Sequence, residues 1–404
     1  MERLSLFDKL VNLYIIILII GFLFIGTIPK LIGGSEESLS VQFRIVVLML
    51  SLFFIISTIF SRRINKVYLA PFLFFIIFWF IYSLRLIHDL YIDPIKLYTD
   101  TPSSRYAQFA FGVTLVPSVA LLIVIQAYKI NISKILSRLY YILLIILSIA
   151  LYFRAGADLQ GRTTGDLNVG ILLFGQFGAT LSILSVYRFM KEKRNLKNNL
   201  LHFFGFIIGV SSIFVSASKS PFLALIVVVL LLLFLWYGSI KSVFLILIIG
   251  GVLGAYFVDI ALFLNNYFKS NFLERLFYAI EVGGDNAREI IVSTAFNEFI
   301  DNPFFGNAFL IQNPKLVGSY PHNLVVESLM STGILGGGVF IIWVIKSLRE
   351  SFRVIRKHSD LTWVALLFLQ YFIFGMFSKN LYSSDLFWFF SIILISAKQN
   401  RREP

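Results

Sequence analysis

His322 is the side chain in this sequence best suited to moving a proton at neutral pH, because an imidazole titrates near pH ~6.5 and can accept a proton from a hydroxyl. It sits in Gly318-Ser319-Tyr320-Pro321-His322-Asn323, directly before an apolar run that starts at Leu324. A proline favours a helix start, so the spacing puts His322 and Asn323 in the first turn of a helix, at a lipid–water boundary if that helix crosses a bilayer. The plainer reading is an interfacial histidine hydrogen-bonded to backbone. His358 falls in a basic loop, His202 near the end of an apolar run and His88 in a loop without companions.

Arg288 is the second candidate. Gly283-Gly284-Asp285 breaks the chain, and Asn286 and Glu289 then stand at capping-box spacing. Ala287, Ile291, Ala295 and Phe299 recur at every fourth position until Asp301-Asn302-Pro303 ends the pattern, which predicts an amphipathic helix with Arg288 in its first turn. A cation there opposes the helix dipole at a cost of some tenths of a kcal/mol, unless an anion shares the site. Free amides with a guanidinium make a diphosphate clamp; an exposed arginine paired with Asp285 or Glu289 is the alternative. Lys219, in Ser216-Ala217-Ser218-Lys219-Ser220-Pro221, and Arg162, near Gly165 and Asn168, also stand beside turn-forming residues. The plainer readings are a lysine in a tight turn and, equally open for Arg162, a solvated loop.

Cysteine is absent, which excludes disulfides, thiolate metal sites and cysteine nucleophiles. No Asp-x-Asp pair or His-x-x-x-His spacing offers a metal cage in the loops that carry these residues. No metal and no cofactor is expected. Cationic side chains would then have to stabilise a leaving diphosphate, and Arg288, Lys219 and Arg162 are the candidates.

The elements that must position these residues are membrane helices. Of 404 residues 58% are hydrophobic and only 14% charged, too few charges for a water-facing surface, since soluble domains carry about 25%. Apolar runs recur at the roughly 18–22 residues needed to cross a ~30 Å hydrocarbon core. Twelve spans are expected near 11–28, 41–60, 67–87, 108–127, 136–153, 167–188, 199–217, 221–237, 240–258, 324–346, 361–378 and 382–397. The fold class is thus all-α: one polytopic membrane domain over 1–404, with a single large loop at 259–321 that carries short amphipathic helices. Neither an internal repeat nor a cleavable signal peptide is evident. A transporter of inverted repeats should show interrupted helices in matching halves, whereas the polar complexity here gathers in loops of the second half.

Charge orients the chain. With the N-terminus inside, the inner segments hold 22 of the 35 Lys and Arg and the outer segments 12, while acidic residues run the other way. The positive-inside rule therefore puts both termini in the cytoplasm and the 259–321 loop outside. The net charge of +13 follows from this distribution and does not imply nucleic acid as a partner.

His322-Asn323, nine residues, then Gly333-Ile334-Leu335-Gly336 form a His-Asn-x9-Gly-x-x-Gly string. It resembles the signature of the O-antigen ligase and O-antigen polymerase superfamily. Small residues such as these let membrane helices approach closely. Arg288 with the helix after it and Asn302-Pro303-Phe304-Phe305-Gly306 resemble the family's arginine, helix and Asn-Pro-x-x-Gly turn. The 216–220 hairpin resembles its Ser-x-Ser-Arg hairpin, with Lys219 in place of arginine, which keeps the charge but loses the bidentate fork. The Arg162 loop is similar to an arginine-plus-asparagine element of polymerases. The likeness is strong over about 205–345 and only topological before 150.

What the resemblance implies is a glycosyltransferase of the bacterial inner membrane. It would take a glycan from an undecaprenyl-diphosphate-linked oligosaccharide and join it to an acceptor sugar with inversion. His322 would be the base, Asn323 would orient the acceptor, and Arg288 and Lys219 would hold the diphosphate. Membrane lipids, a chain-length regulator and a flippase of the same pathway are the partners it implies. A polymerase is expected from the 216–221 hairpin and the Arg162 loop. A ligase acting on lipid A core, and an exporter without catalysis, are the alternatives.

Overall fold

A computed structural model describes residues 5–32, 36–98, 101–152, 171–192, 195–238, 270–281 and 286–396, with a few single positions between 251 and 263. Among these the chain is helical, with no strand. The helices are α1 (Leu6–Ile32), α2 (Glu36–Phe60), α3 (Ala70–Ile92), α4 (Ser103–Ala127), α5 (Ile132–Tyr152), α6 (Ile171–Lys191), α7 (Leu196–Val215) and α8 (Lys219–Tyr237), then α9 (Phe272–Glu281), α10 (Asn286–Asp301), α11 (Leu324–Arg356), α12 (Thr362–Ser378) and α13 (Asp385–Ser396). Eight of them are long and apolar enough to cross a membrane. The protein is an all-α polytopic membrane protein. Helices stand at eleven of the twelve expected spans; the ninth, 240–258, lies largely outside the described residues.

Exposure follows the expected solvent. α2 turns large apolar side chains such as Ile45, Met49, Phe53 and Phe60 outward, as a lipid-facing helix should, whereas α13 is buried nearly all round. The last span is shorter than expected. α13 has 12 residues, about 18 Å at 1.5 Å per residue, and a 3-10 turn at Leu381–Ser383 precedes it. It is a central element wrapped by protein, so it need not match the hydrocarbon thickness.

Small residues and buried polar contacts join the helices. A Cβ on Gly178 would lie 2.6 Å from the Gly209 carbonyl, so α6 and α7 meet backbone to backbone. Gln370 of α12 donates from Nε2 to the Gln176 carbonyl at 2.9 Å and to Thr180 Oγ1 at 3.0 Å. In such a low-dielectric setting these amides fix helix rotation, because a slip leaves them unsatisfied.

The two ends of the bundle differ. At one, Asn12 reaches the Lys129 carbonyl, Lys191 pairs with Asp360 at 2.6 Å, and Glu192 meets both Arg188 and His202. This basic end holds the cationic segments at 61–66, 128–134, 188–192 and 195–197. The opposite, loop end carries α10, the 302–323 segment, the α7–α8 hairpin and the 379–384 connection.

Candidate functional site

The 302–323 segment is held by the end of α3. Arg85 donates to the carbonyls of Phe305, Gly306 and Asn307, the first and third at 2.9 Å. Asp89, fully buried, accepts from the Phe309 amide at 2.9 Å and also meets Arg85 and His88. His88 therefore has a companion that its sequence position did not suggest. Glu298 of α10 accepts from the amides of Gln312 and Asn313, each at 2.8 Å, and from the Asn307 side chain at 3.0 Å. A loop with so many charge-assisted anchors is a rigid part of the protein.

The Asn302-Pro303-Phe304-Phe305-Gly306 turn is inserted into α11. Gly333 has φ 61 and ψ −162 and interrupts the helix. The backbone groups so released pair with the turn: Ile334 N donates to the Pro303 carbonyl and Asn307 N to the Met330 carbonyl, both at 2.7 Å. Gly306, at φ 74, lies so close that a Cβ would meet backbone atoms of 330–332 at 2.5–2.6 Å. The first glycine of the Gly-x-x-Gly string thus serves a helix break rather than the helix approach expected of it. The second, Gly336, does serve an approach, since its Cβ would touch Ile81 of α3 at 3.2 Å. Gly333→Ala should therefore loosen this insertion. A left-handed conformation costs a non-glycine about 1–3 kcal/mol, and the added Cβ collides with the Phe304 carbonyl. We expect loss of activity with membrane insertion retained, and faster proteolysis within 302–323 in membrane vesicles. An unchanged cleavage rate would contradict the interlock.

His322 and Asn323 precede α11 rather than occupying its first turn. Asn323 is the N-cap, its side-chain oxygen accepting from Val325 N and Val326 N at 3.1 Å each. The cap requires Asn323 to be extended, and His322 before it is left-handed, at φ 58. That conformation costs a histidine about 1–2 kcal/mol, and strain of this kind gathers at functional sites. The His322 ring lies 4.2 Å from the Tyr320 ring. Both line a polar chamber of about 520 Å³, together with Tyr98, Arg105, Tyr106 and Tyr382. Burial, reinforced by the charge of Glu327 and opposed by that of Arg288, pushes the Tyr320 phenol up to about 12. Tyr320 thus stays a hydrogen-bond donor at neutral pH.

Two of the expected cations, Arg288 and Lys219, stand near this chamber without lining it. Arg288 is in the first turn of α10, within electrostatic reach of Tyr320, and Ile291, one turn on, is in the chamber wall. Lys219 is the first residue of α8, and its neighbour Ser220 shares a 2.9 Å hydrogen bond with Ser378 beside the 379–384 connection. The hairpin before it turns on Ala217, left-handed at φ 47 and buried against Phe214 and Phe272. Arg162, with Gly165 and Asn168, lies outside the described residues.

Arg105, Tyr106, Tyr382 and Glu327 did not stand out by spacing. Glu327 is fully buried; its Oε1 accepts from the Leu381 amide at 3.0 Å and from Tyr82 at 3.3 Å, while Oε2 has no hydrogen-bond partner. A carboxylate in the apolar run after His322 is itself a signal of function in a membrane helix. Tyr382 could not have been found so, because folding alone brings it to the chamber from the far end of the chain.

Residues 204–341 match the family model described as O-antigen ligase. The match runs from α7 into α11 and takes in Lys219, Arg288, His322, Asn323 and both glycines. No curated protein and no solved structure matches the chain. Residues 204–341 thus carry an O-antigen ligase family domain, which spans about a third of the 404-residue chain.

Proposed function

We propose that this protein is a polysaccharide polymerase that transfers a glycan from undecaprenyl diphosphate to the acceptor sugar of a lipid-linked repeat unit. The observation that carries this reading is His322, strained into the wall of a polar chamber among tyrosines and an arginine. His322 takes the proton of the acceptor hydroxyl, and the oxygen attacks the anomeric carbon. The bond from that carbon to the diphosphate oxygen breaks, its electron pair leaving with the diphosphate, and the configuration inverts. Negative charge grows on the departing diphosphate, where Arg288, Lys219 and Arg162 act. Asn323 has its side-chain oxygen committed to the helix cap, so its amide NH2 is what remains to orient the acceptor.

The second reading is a ligase acting on lipid A core, for which the family match over 204–341 stands equally. Carrier accumulation in a deletion strain separates the readings. A lost polymerase leaves single repeat units on the surface, a lost ligase leaves polymer on the carrier, and a lost exporter leaves units facing inward. A flippase and a chain-length regulator are the partners this reading entails.

The reading also requires the loop end to face the periplasm across the bacterial inner membrane, with both termini cytoplasmic. The collection of cationic loops at the opposite end supports this. A cysteine at Asn313 should be labelled by an impermeant maleimide in intact spheroplasts, and one at Asn195 should not. The native chain has no cysteine, so any label reports the engineered site. Reversed labelling would overturn the orientation.

A further inference from the structure

A second cavity, of about 320 Å³, adjoins the polar chamber, and the two share Phe109 and Ser383 as common wall. Its character is different. Leu18, Phe22, Phe43, Leu173 and Phe374 make it largely apolar, and Arg44 stands in its lining. The Arg44 guanidinium lies 4.3 Å over the Phe109 ring and donates to Ser40 Oγ at 2.8 Å. Arg105, across the common wall, lines the polar chamber and is close enough for its charge to act on Arg44. Lys379, also in the apolar lining, has the carboxylate of Asp385 within electrostatic reach. Arg44 and Arg105 differ from it: among the described residues no carboxylate pairs with either.

Two guanidiniums that cannot lose their protons therefore stand near one another at the join of an apolar and a polar cavity. Like charges in a partly buried setting repel unless an anion lies between them. The cavities on either side define what that anion carries. A hydrocarbon tail suits the apolar one, and a hydroxyl-rich group suits the polar one. The polar chamber also contains His322, and a base must touch the acceptor hydroxyl, so the molecule in that chamber is the acceptor.

We infer that Arg44 and Arg105 bind the diphosphate of the lipid-linked acceptor, with the start of its polyprenyl tail in the apolar cavity and its glycan reaching His322 in the polar chamber. This rests on the polymerase reading. It gives the acceptor an anion site separate from the Arg288 and Lys219 site of the donor, as a reaction between two diphosphate-borne chains requires.

The test uses the purified full chain in nanodiscs. The donor is a lipid-linked repeat unit with its acceptor hydroxyl blocked, and the acceptor a labelled, unblocked unit. Arg44→Gln and Arg105→Gln should each raise the acceptor KM about tenfold or more, the usual loss with a charge-assisted contact, and leave the donor KM unchanged. The unchanged donor KM shows that the Gln variants are folded, and Arg44→Lys with Arg105→Lys should recover much of the loss. An unchanged acceptor KM, or a rise in donor KM instead, would overturn the inference. So would lipid A core acting as a competitive substrate for the same site. If the wild-type protein forms no glycosidic bond with this pair of substrates, the polymerase reading itself fails, an outcome separate from either result with the variants.

Discussion

His322→Ala should abolish polymer formation while expression and membrane insertion stay normal. Loss of a positioned general base commonly costs ~10²–10⁴ in rate. The imidazole does not cap the helix, because Asn323 does, and alanine relieves none of the left-handed strain at this position. Removing the ring should therefore change the chemistry more than the fold. Single-turnover rates on a lipid-linked donor measure this, with the protein compared at equal membrane content. Polymer at near wild-type rate from the alanine variant would remove His322 from the role of base.

The second large effect is expected at the two cations, and it should differ between them. Arg288 stands in the first turn of α10, where a planar fork and the helix amides can meet a diphosphate together. Arg288→Ala should lower turnover strongly. Arg288→Lys, which keeps the charge but loses the bidentate geometry, should lower it clearly. Lys219 is already a point charge, so Lys219→Ala should cost turnover and Lys219→Arg should be tolerated. Because leaving-group charge grows as the glycosidic bond breaks, both alanine variants should lose kcat more than donor affinity. Rates at saturating and limiting donor separate the two. Full turnover of Arg288→Ala at saturation would mean that Arg288 does not stabilise the leaving group.

Much of this arrangement is legible in the sequence, for reasons that differ by residue. Helix positions follow from apolar runs, because in hydrocarbon only a helix satisfies its own backbone groups. α10 was legible from its fourfold apolar period and its Asn-Pro stop. The approach to His322 was less so. Pro321 suggested a helix start two residues early, whereas the Asn323 cap sets the start at Leu324 and forces His322 to positive φ. Gly333 looked like a packing glycine because nothing local shows that the 302–307 turn, some thirty residues earlier, is threaded into the helix there. Arg85 and Asp89, which hold that turn, are likewise more than two hundred residues from their partners. The chamber walls contributed by Tyr98, Arg105 and Tyr382 exist only after the helices assemble. α13 was read as a span from its composition alone, and only its burial on all sides shows why 12 residues suffice.

The most direct test of the central claim is product analysis from the purified protein supplied with one defined lipid-linked repeat unit. A ladder of saccharides still attached to polyprenyl diphosphate is expected, with one equivalent of free polyprenyl diphosphate released for each new glycosidic bond and the inverted configuration at each junction. Starting lipid recovered unchanged from a preparation that binds it would contradict the account, as would glycan transferred to lipid A core with no ladder on the carrier.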